Sequence, residues 1–369
     1  MSIAYFAHEL ADAAVQKRVR MLREAGENVS LLGFERDRGA PQAHSGAVLG
    51  QTRNGQFLAR IASVAAAIPR ALKLKPQWIG ARLIIARNLE MLALVVALTR
   101  LAGVRPRIVY ECLDIHRIVL GASLASWLVR AAERALLRRV DVVATSSPAF
   151  ERNYFRAIQH YAGRVVVVEN KVFSATPATA PTLSMPPPPW IIAWCGVLRC
   201  RRSFAILRAL ADAFPERVRI EMWGAPALDQ VPDFHAKAAR SPNMLYRGRY
   251  RPEELQAIYA SAHFAWAVDF YEAGGNSDWL LPNRLYESLC FGAIPIAAEG
   301  VETASWLDAH KVGVVLAAPL EESLPAFIER LSPNDIERLH AAVASVPTDA
   351  TRFTTDACRA LVAELEGAP

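Results

Sequence analysis

Two polar side chains four residues apart, Asn283 and Glu287, form the part of this sequence best suited to binding a small molecule. They belong to the stretch LPNRLYESLCFGAIPIAA, in which leucines recur at the same spacing, at Leu281, Leu285 and Leu289. That spacing predicts an amphipathic helix, opened by Pro282 and ended by Gly292, that packs its leucines on a sheet and leaves the two polar side chains on another face. A carboxylate held in this way can accept two hydrogen bonds from a sugar diol.

A glycine-rich segment lies just upstream, with the sequence AGGNS over residues 273–277. Gly274 and Gly275 carry no side chain that would hold a ligand away from the backbone. The N-terminal end of the following helix, which includes Arg284, favours an anion such as a pyrophosphate. A carboxylate that binds a diol, next to a loop and a helix end that bind phosphate, indicates a nucleotide site.

Three arginines lie at a second point where phosphate could bind, a predicted strand-to-helix turn after Trp190–Cys195: Arg199, Arg201 and Arg202. The helix is predicted to begin at Ser203, a residue type that favours the N-cap. Cations at such a turn are candidates for contacts to the pyrophosphate. The alternative is a solvated loop with ordinary surface arginines.

The N-terminal half contributes an acid close to an imidazole, Asp114 and His116, directly after a strand predicted over residues 107–113. Such a pair can transfer a proton. The alternative is that Asp114 caps the next helical turn and that His116 is an ordinary polar side chain with its hydrogen bonds satisfied.

The stretch LPNRLYESLCFGAIPIAAEG, together with the upstream NMLYRGRYRPEELQAIYASAHFAWAV, resembles the donor-binding domain of GT-B glycosyltransferases. Among these it is most similar to the bacterial exopolysaccharide enzymes of the succinoglycan type. The resemblance runs from Trp190 to about Val315, and YECLDIHR supports it in the N-terminal half. It implies an α/β fold of the GT-B type, with two Rossmann-like, doubly wound parallel-sheet domains that face a cleft and a C-terminal helix that crosses back to the first domain.

The resemblance also implies roles for individual donor-site residues. It predicts that Glu287 binds the ribose of a donor nucleotide and that the nucleobase lies against Arg249 or Tyr250. It further predicts that one of the three arginines at the strand-to-helix turn holds the donor pyrophosphate.

For the chemical step, the resemblance implies a base only if the reaction inverts the sugar configuration. Asp114 is then the first candidate to deprotonate the acceptor hydroxyl, and His116 is the second. Many relatives carry a second glutamate eight positions before the one matched by Glu287, where this chain has Trp279. A retaining mechanism is therefore not carried over.

Alternating strand and helix patterns predict the elements that position these residues. The chain opens with a predicted βαβ unit, formed by Ser2–Phe6, Glu9–Ala25 and Val29–Phe34. Ligand loops of doubly wound sheets follow the carboxyl ends of the strands, so His8, Asp12 and Arg117 are candidate acceptor contacts. No G-x-G-x-x-G follows the first strand, which argues against a dinucleotide dehydrogenase.

The same pass along the chain predicts the domain organisation. Residues 39–54 are predicted as turn-rich, and SATPATAPTLSMPPPP is predicted as an extended connector. The predicted divisions are an N-terminal acceptor domain over 1–172, a Pro-rich linker over 173–189, a nucleotide-sugar domain over 190–350 and a C-terminal helix over 351–369.

Charge is distributed unevenly between the two halves. Residues 1–171 carry 25 basic and 13 acidic side chains, whereas residues 172–369 carry 17 and 23. A basic half favours phosphate-bearing partners, including anionic lipid head groups. Within it, the basic amphipathic segment Gln56–Lys75 predicts either a helix that lies on a bilayer or a helix that covers the sheet.

Several classes of site and location are disfavoured by composition. The five cysteines are scattered and show no zinc spacing, and no D-x-D occurs, so we expect transfer without a metal ion or other cofactor. No signal peptide and no uncharged apolar run of membrane-spanning length are found, so the prediction is a cytoplasmic protein at the inner face of the membrane.

The predicted function is the transfer of a sugar from a nucleotide sugar, with UDP as the expected nucleotide, to a polyprenyl-pyrophosphate-linked oligosaccharide in exopolysaccharide synthesis. Two alternatives stay open. One is a GT-B epimerase that acts on the nucleotide sugar alone. The other is a basic protein that binds nucleic acid without catalysis, which is disfavoured because aliphatic rather than aromatic residues accompany the arginines.

Overall fold

A computed structural model describes residues 2–36, 45–52, 57–173 and 188–367, with the side chains of all of these except 36, 52 and 57–63. The interior of the predicted linker, residues 174–187, lies outside the described residues, as does most of the predicted turn-rich segment. The chain divides into two units, residues 1–169 with 353–369, and residues 170–352.

The first unit is a parallel sheet with helices between its strands. Its elements are β1 (Ser2–Ala7), α1 (Ala13–Glu24), β2 (Asn28–Arg36), β3 (Ala47–Thr52), α2 (Phe57–Lys73), β4 (Leu83–Arg87), α3 (Leu89–Ala102), β5 (Arg107–Cys112), α4 (Arg117–Leu120), α5 (Leu124–Leu137), β6 (Val142–Thr145), α6 (Pro148–Phe150) and β7 (Arg164–Val167), with a π-helical segment at Glu151–Arg156. The seven strands lie in the order β3-β2-β1-β4-β5-β6-β7, all parallel. The order extends from β1 in both directions, which defines a doubly wound sheet.

The edge strand β3 is absent from the sequence prediction, which assigned turns to this segment. β3 pairs in parallel with β2, and the ring of Phe34 in β2 lies over Gly50 in β3. Gly50 weakens the β propensity of this strand, so pairing with β2 rather than local sequence determines it.

Helix α2, the predicted bilayer helix, turns apolar residues towards the protein in its described part. Val64, Ala67 and Ala71 are buried, and α2 packs against α3 and β3. Covering the sheet was the second interpretation of this segment. The bilayer role of α2 stays a prediction, and none of the helices in the described ranges is both long and apolar enough to span a membrane.

The second unit repeats the architecture with a different set of helices. Its elements are β8 (Val172–Phe173), β9 (Trp190–Leu198), α7 (Arg201–Ala213), β10 (Val218–Pro226), α8 (Phe234–Ala238), β11 (Met244–Gly248), α9 (Leu255–Ala260), β12 (Phe264–Trp266), α10 (Asn276–Trp279), α11 (Asn283–Phe291), β13 (Ile294–Ala298), α12 (Glu302–His310), β14 (Val314–Leu316), α13 (Leu320–Arg330), α14 (Pro333–Ala344) and α15 (Thr348–Thr351). Six strands lie parallel in the order β11-β10-β9-β12-β13-β14. This sheet is doubly wound about β9, so the predicted pair of Rossmann-like sheets is confirmed.

After β15 (Arg352–Phe353), the C-terminal helix α16 (Thr355–Glu366) belongs to the first unit. It packs against α1, and the hydroxyl of Thr355 donates a hydrogen bond to Glu24 at 2.6 Å. At its other end, the Nε of Arg107 donates to the carbonyl of Leu365 at 3.0 Å. The helix therefore returns to the N-terminal sheet, as the resemblance implied.

Candidate functional site

Helix α11 presents the polar face that the leucine spacing predicted. Leu281, Leu285 and Leu289 are buried in the core of the second unit, and Gly292 ends the helix with φ +94°. Asn283 is exposed at the first turn, whereas Glu287 is half-buried. The helix begins at Asn283, with Pro282 in extended conformation as its N-cap. A half-buried carboxylate is therefore held on a rigid element at the edge of the sheet.

Three neighbours define the surroundings of Glu287: Tyr250, Tyr259 and Cys195. Burial raises the pKa of the Tyr250 hydroxyl, and the negative charge of Glu287 raises it further. Burial likewise raises the pKa of the Cys195 thiol to about 12, and Glu287 again adds to the effect. The carboxylate therefore lies near the carboxyl end of β9 and beside the half-buried Tyr250, so two predicted donor contacts come together.

Asp269 holds the loop that precedes α10 through both of its carboxylate oxygens. Its Oδ1 accepts hydrogen bonds from the backbone N–H of Tyr271 at 2.8 Å and from the hydroxyl of Ser277 at 3.2 Å. Its Oδ2 lies 3.8 Å from the guanidinium of Arg284, at the start of α11. The glycine loop and the Glu287 helix are thus connected by an ion pair that sequence analysis did not foresee.

In the glycine loop, which was predicted to bind an anion, a backbone N–H group already donates to a carboxylate. Gly274 has φ +79° and open space where a Cβ would stand, so the backbone there does require glycine. Its N–H, however, donates to the carboxylate of Asp278 at 2.9 Å. Gly275, with φ −157° and ψ −120°, precedes α10. A ligand phosphate would have to displace Asp278 to reach the Gly274 amide.

The three arginines of the strand-to-helix turn have different surroundings. The guanidinium of Arg199 stacks on the ring of Tyr271, 4.2 Å from its centroid. Tyr271 belongs to the loop that carries Asp269, so Arg199 contacts the predicted phosphate loop. Arg201 instead donates to the backbone carbonyl of Gln230, away from that loop.

Arg202 combines a contact to the same loop with an ion pair. Its guanidinium lies over the ring of Phe270, 4.3 Å from the centroid. It also forms a two-point ion pair with Glu321, at 2.9 and 3.1 Å, on an exposed surface. Arg199 and Arg202 therefore both approach the loop, but a carboxylate already neutralises the charge of Arg202.

The predicted N-cap of this turn is wrong by three residues. α7 begins at Arg201, and Cys200 is the N-cap, its sulfur accepting from the N–H of Ser203 at 3.4 Å. Ser203 is fully buried inside the helix. Arg201 and Arg202 therefore belong to the first helical turn, from which both reach neighbouring surface groups.

Gly196 and Gly224 determine how closely β9 and β10 approach at their carboxyl ends. The two residues are register partners, with φ +115° and +130°. A Cβ on Gly224 would overlap the carbonyl oxygen of Gly196. The hydroxyl of Tyr246 also donates to the carbonyl of Gly224 at 2.9 Å. Sequence analysis did not assign this role, although a glycine near the end of each of two predicted strands was a usable signal.

We expect Gly224→Ala to lower the free energy of unfolding by about 3 kcal/mol or more, because the new methyl group meets backbone that cannot yield. Gly300→Ala is the matched control, since Gly300 has φ +81° but open space at the position that a methyl group would take. The control should lose only the roughly 1–2 kcal/mol of left-handed strain. Urea denaturation of both variants measures the difference, and equal losses would contradict the close-approach argument.

The two remaining donor candidates lie at the end of β11. Arg249 is exposed, and Tyr250 packs against the small cluster that contains Tyr259 and Cys195. Nearby, Arg247 forms an ion pair of 2.6 Å with Glu221. Tyr250 is therefore positioned by packing next to Glu287, whereas Arg249 is displayed on the surface.

In the first unit, a buried carboxylate that sequence analysis did not single out lies below the candidate acceptor residues. Glu111 of β5 accepts a hydrogen bond from Arg18 at 2.7 Å, another from Arg87 at 3.2 Å, and a third from the hydroxyl of Tyr5. Burial alone would raise the pKa of Glu111, but the two arginines outweigh it and the pKa is lowered. A lone acid in the apolar strand RIVYEC was the available signal.

The Glu111 cluster extends to a predicted acceptor contact. Arg87 lies 3.7 Å from Asp12, whose carboxylate also caps α1 by accepting from the N–H groups of Ala14 and Val15, each at 3.0 Å. Because Asp12 is the cap, α1 begins at Ala13 and not at Glu9 as predicted. Asp12 is thus engaged in holding the helix.

Possible ligand atoms of His8, Glu9 and Asp12 all lie within 4.8 Å of one another, a spacing that a metal ion could use. Glu9 is buried, His8 and Asp12 are half-buried, and Asp12 already has the cap and Arg87 as partners. The structure therefore brings the two predicted acceptor contacts of β1 together. That transfer proceeds without a metal stays a prediction.

The Asp114 and His116 pair lies on the surface after β5, as expected for residues at the carboxyl end of a strand. His116, and not Asp114, is the N-cap of α4: its Nδ1 accepts from the N–H of Ile118 at 3.2 Å. In a neutral ring that accepts at Nδ1, the proton sits on Nε2, so the ring is a donor there rather than a base. Arg117 is exposed at the first position of α4. The role of Asp114 as the base stays a prediction.

Two doubly wound parallel sheets, each with polar side chains at the carboxyl ends of its strands, together with a C-terminal helix that returns to the first sheet, define a glycosyltransferase of the GT-B class. Known proteins agree with this assignment. Residues 11–171 match the Glycosyl transferase 4-like domain. Over 99% of its length, the chain is 40% identical to the succinoglycan biosynthesis protein ExoL of Rhizobium meliloti (strain 1021), of which it covers 93%. The chain therefore belongs to the same protein family as ExoL, and it is a glycosyltransferase.

Solved structures show the same fold at low sequence identity. Sucrose-phosphate synthase from Thermosynechococcus elongatus superposes with a TM-score of 0.76 at 15% identity, over 99% of this chain and 98% of that one. HepE from Anabaena, solved in complex with UDP, superposes with a TM-score of 0.69 at 15% identity, over 99% of both chains. The predicted GT-B fold and the glycosyltransferase class are confirmed.

Proposed function

We propose that the protein transfers a sugar from UDP-sugar, bound by the second unit, to a lipid-pyrophosphate-linked oligosaccharide during exopolysaccharide synthesis at the inner face of the cytoplasmic membrane. The observation that carries the donor half of this proposal is the cluster around Glu287. Tyr250 lies beside the Glu287 carboxylate. Arg284, on the same helix as Glu287, forms an ion pair with Asp269. The loop that carries Asp269 also contains Tyr271, on which Arg199 stacks. These groups offer a diol acceptor, a flat ring and two cations within one unit.

Each proposed role follows from the chemistry of the side chain. Glu287 accepts hydrogen bonds from the two ribose hydroxyls. Tyr250 stacks on the base, and Arg249 lies at the rim. Arg199 is the first choice for the pyrophosphate because its partner is an aromatic ring and not a carboxylate, which leaves its positive charge available. Arg201 and Arg202 are secondary choices, since both have other hydrogen-bond acceptors.

The acceptor half of the proposal has separate support. ExoL, the relative that spans nearly the whole chain, is a succinoglycan biosynthesis protein. Residues 1–171 are strongly basic, as a site for a pyrophosphate-bearing lipid requires. Asp114 is proposed as the base, with His8, Asp12 and Arg117 as contacts to the acceptor. No nucleic acid is proposed as a partner.

The test is product analysis with radiolabelled UDP-sugars, with and without a lipid extract from cells that make the polysaccharide. We expect label to enter the lipid fraction, with an equal amount of UDP released, when both donor and extract are present. Conversion of the nucleotide sugar without extract would favour a GT-B epimerase instead. Tight binding of single-stranded DNA on filters, with no binding of UDP-sugar, would favour the nucleic-acid alternative.

A further inference from the structure

Helix α5 presents large apolar side chains to solvent at its N-terminal end. Leu124 is 73% exposed, Trp127 57% and Leu128 54%, although apolar side chains of this size are usually buried. The three residues lie on successive turns of one helix face, because positions three and four apart are neighbours. We call this surface, formed by Leu124, Trp127 and Leu128, the α5 patch.

The helix beneath the patch is held firmly. Its opposite face buries Glu133, which accepts hydrogen bonds from the hydroxyl of Tyr110 at 2.8 Å, from the hydroxyl of Tyr154, and from Gln159. Ser123 caps the first turn by accepting from the N–H of Ser126 at 3.1 Å. The exposure of the patch is therefore a property of a fixed helix and not of a frayed end.

The loop beside the patch is fixed as well. Arg130 donates to the carbonyls of Val119 and Gly121, at 2.8 and 2.7 Å, and so holds the turn between α4 and α5. Residues 121–125 are all exposed in this turn. The patch and the turn therefore form one continuous protruding surface on the side of the sheet where Asp114 and His116 follow β5.

The segment that contains the patch, residues 115–132, carries basic but no acidic side chains, and the exposed Asp114 lies just before it. The acid that follows, Glu133, is buried. Exposed arginines flank the patch on both sides in sequence, Arg117 before it and Arg134 and Arg138 after it. A tryptophan and two leucines with cations and no anions beside them in sequence are suited to the interface of an anionic bilayer, where the indole lies at head-group depth.

We infer that the α5 patch is the surface by which this glycosyltransferase docks on an anionic phospholipid bilayer. The inference rests on the proposed function for its biological role, because an acceptor that carries a lipid is reached from a membrane surface. It assigns that contact to α5, in place of the predicted α2. Docking through α5 would also bring the side of the sheet that bears Asp114 towards the membrane.

The test compares Trp127→Ser/Leu128→Ser with wild-type protein by co-sedimentation with vesicles of phosphatidylglycerol and phosphatidylcholine. The double variant should bind these vesicles about tenfold or more weakly, because two side chains no longer enter the interface. Binding of wild-type protein should also fall with added salt and with vesicles of phosphatidylcholine alone. Equal binding of variant and wild type to the anionic vesicles would overturn the inference.

The matched control is Leu101→Ser. Leu101 is 63% exposed and belongs to the same unit, but it ends α3 before β5 begins, whereas the α5 patch follows the end of β5. The two positions therefore lie at opposite edges of the sheet, and the control should bind vesicles as wild type does. An equal loss of vesicle binding in Leu101→Ser would overturn the inference, because it would show that vesicle binding depends on surface hydrophobicity in general and not on the α5 patch.

Two further measurements separate the alternatives. Light scattering reports the oligomeric state of the wild type and of the double variant. If the wild type were a dimer, the variant a monomer and neither bound vesicles, the patch would be an interface between two copies of the chain. That result would overturn the inference. UDP affinity should be equal in all three proteins. If the wild-type protein bound vesicles through the patch but did not bind UDP, the proposed function would be wrong. The inference about docking would still hold.

Discussion

Replacing Glu287 by alanine is expected to weaken the binding of UDP on the order of 100-fold, as measured by calorimetry. The expectation follows from two hydrogen bonds between an ionised carboxylate and the ribose diol, each contributing about 1.5 kcal/mol or more. The half-buried position of Glu287 on α11 supports a large effect, because water cannot fully replace a carboxylate there.

Two further variants sharpen this result. Glu287→Gln keeps one acceptor oxygen and should lose less affinity than Glu287→Ala. Glu337→Ala removes an exposed carboxylate on α14 in the same unit and should leave the affinity for UDP unchanged. If Glu287→Ala bound UDP as tightly as wild type while retaining its fold by circular dichroism, the ribose assignment would be wrong.

Asp114→Asn is expected to reduce sugar transfer by about 1,000-fold, within the usual range for loss of a general base. The affinity for UDP should not change, since Asp114 belongs to the first unit and the proposed donor residues to the second. The rate of label transfer into lipid, measured beside UDP calorimetry on the same preparation, tests both halves of the expectation.

His116 needs a variant that separates chemistry from helix capping. His116→Asn removes the imidazole but offers a side-chain oxygen to the N–H of Ile118, so the cap of α4 is preserved. If Asp114 is the base, His116→Asn should retain most of the activity. An inactive His116→Asn combined with an active Asp114→Asn would reverse the assignment.

The local sequence accounts for most elements of both sheets. Predominantly apolar runs correctly predicted strands such as β1 and β5, because both faces of these parallel sheets are covered. The leucine spacing of α11 and the helix stop at Gly292 were also correct, since each depends on residues within a few positions. β3 was missed because its stability comes from pairing with β2, a partner outside its own segment.

Helix starts were less predictable than helix faces. α1 was placed four residues early because an apolar pattern does not reveal which side chain accepts the first free N–H groups, and here Asp12 does. At α7 a serine was preferred as the cap on residue type, but Cys200 occupies the position and Ser203 is buried.

The candidate site also contains both residues that the sequence predicted and contacts that it did not predict. Residue type and spacing selected Glu287 and the arginine turn, because few side chains can bind a diol or a phosphate, and the family resemblance selected Tyr250. The sequence did not separate Arg199 from Arg202, since their neighbours, Tyr271 and Glu321, come from segments far along the chain.

The amino-acid sequence by itself thus determined the two-sheet architecture, the family and the residue types at the donor site. The strands and helices follow from short-range periodicity and the donor-site residue types from side-chain chemistry, whereas the family and its pair of sheets followed from the resemblance. The tertiary structure decided which charges are neutralised and which surfaces remain uncovered. The burial of Glu111 between two arginines, the contact of Gly224 with Gly196 and the exposure of the α5 patch each result from segments that fold together, so no local pattern encodes them.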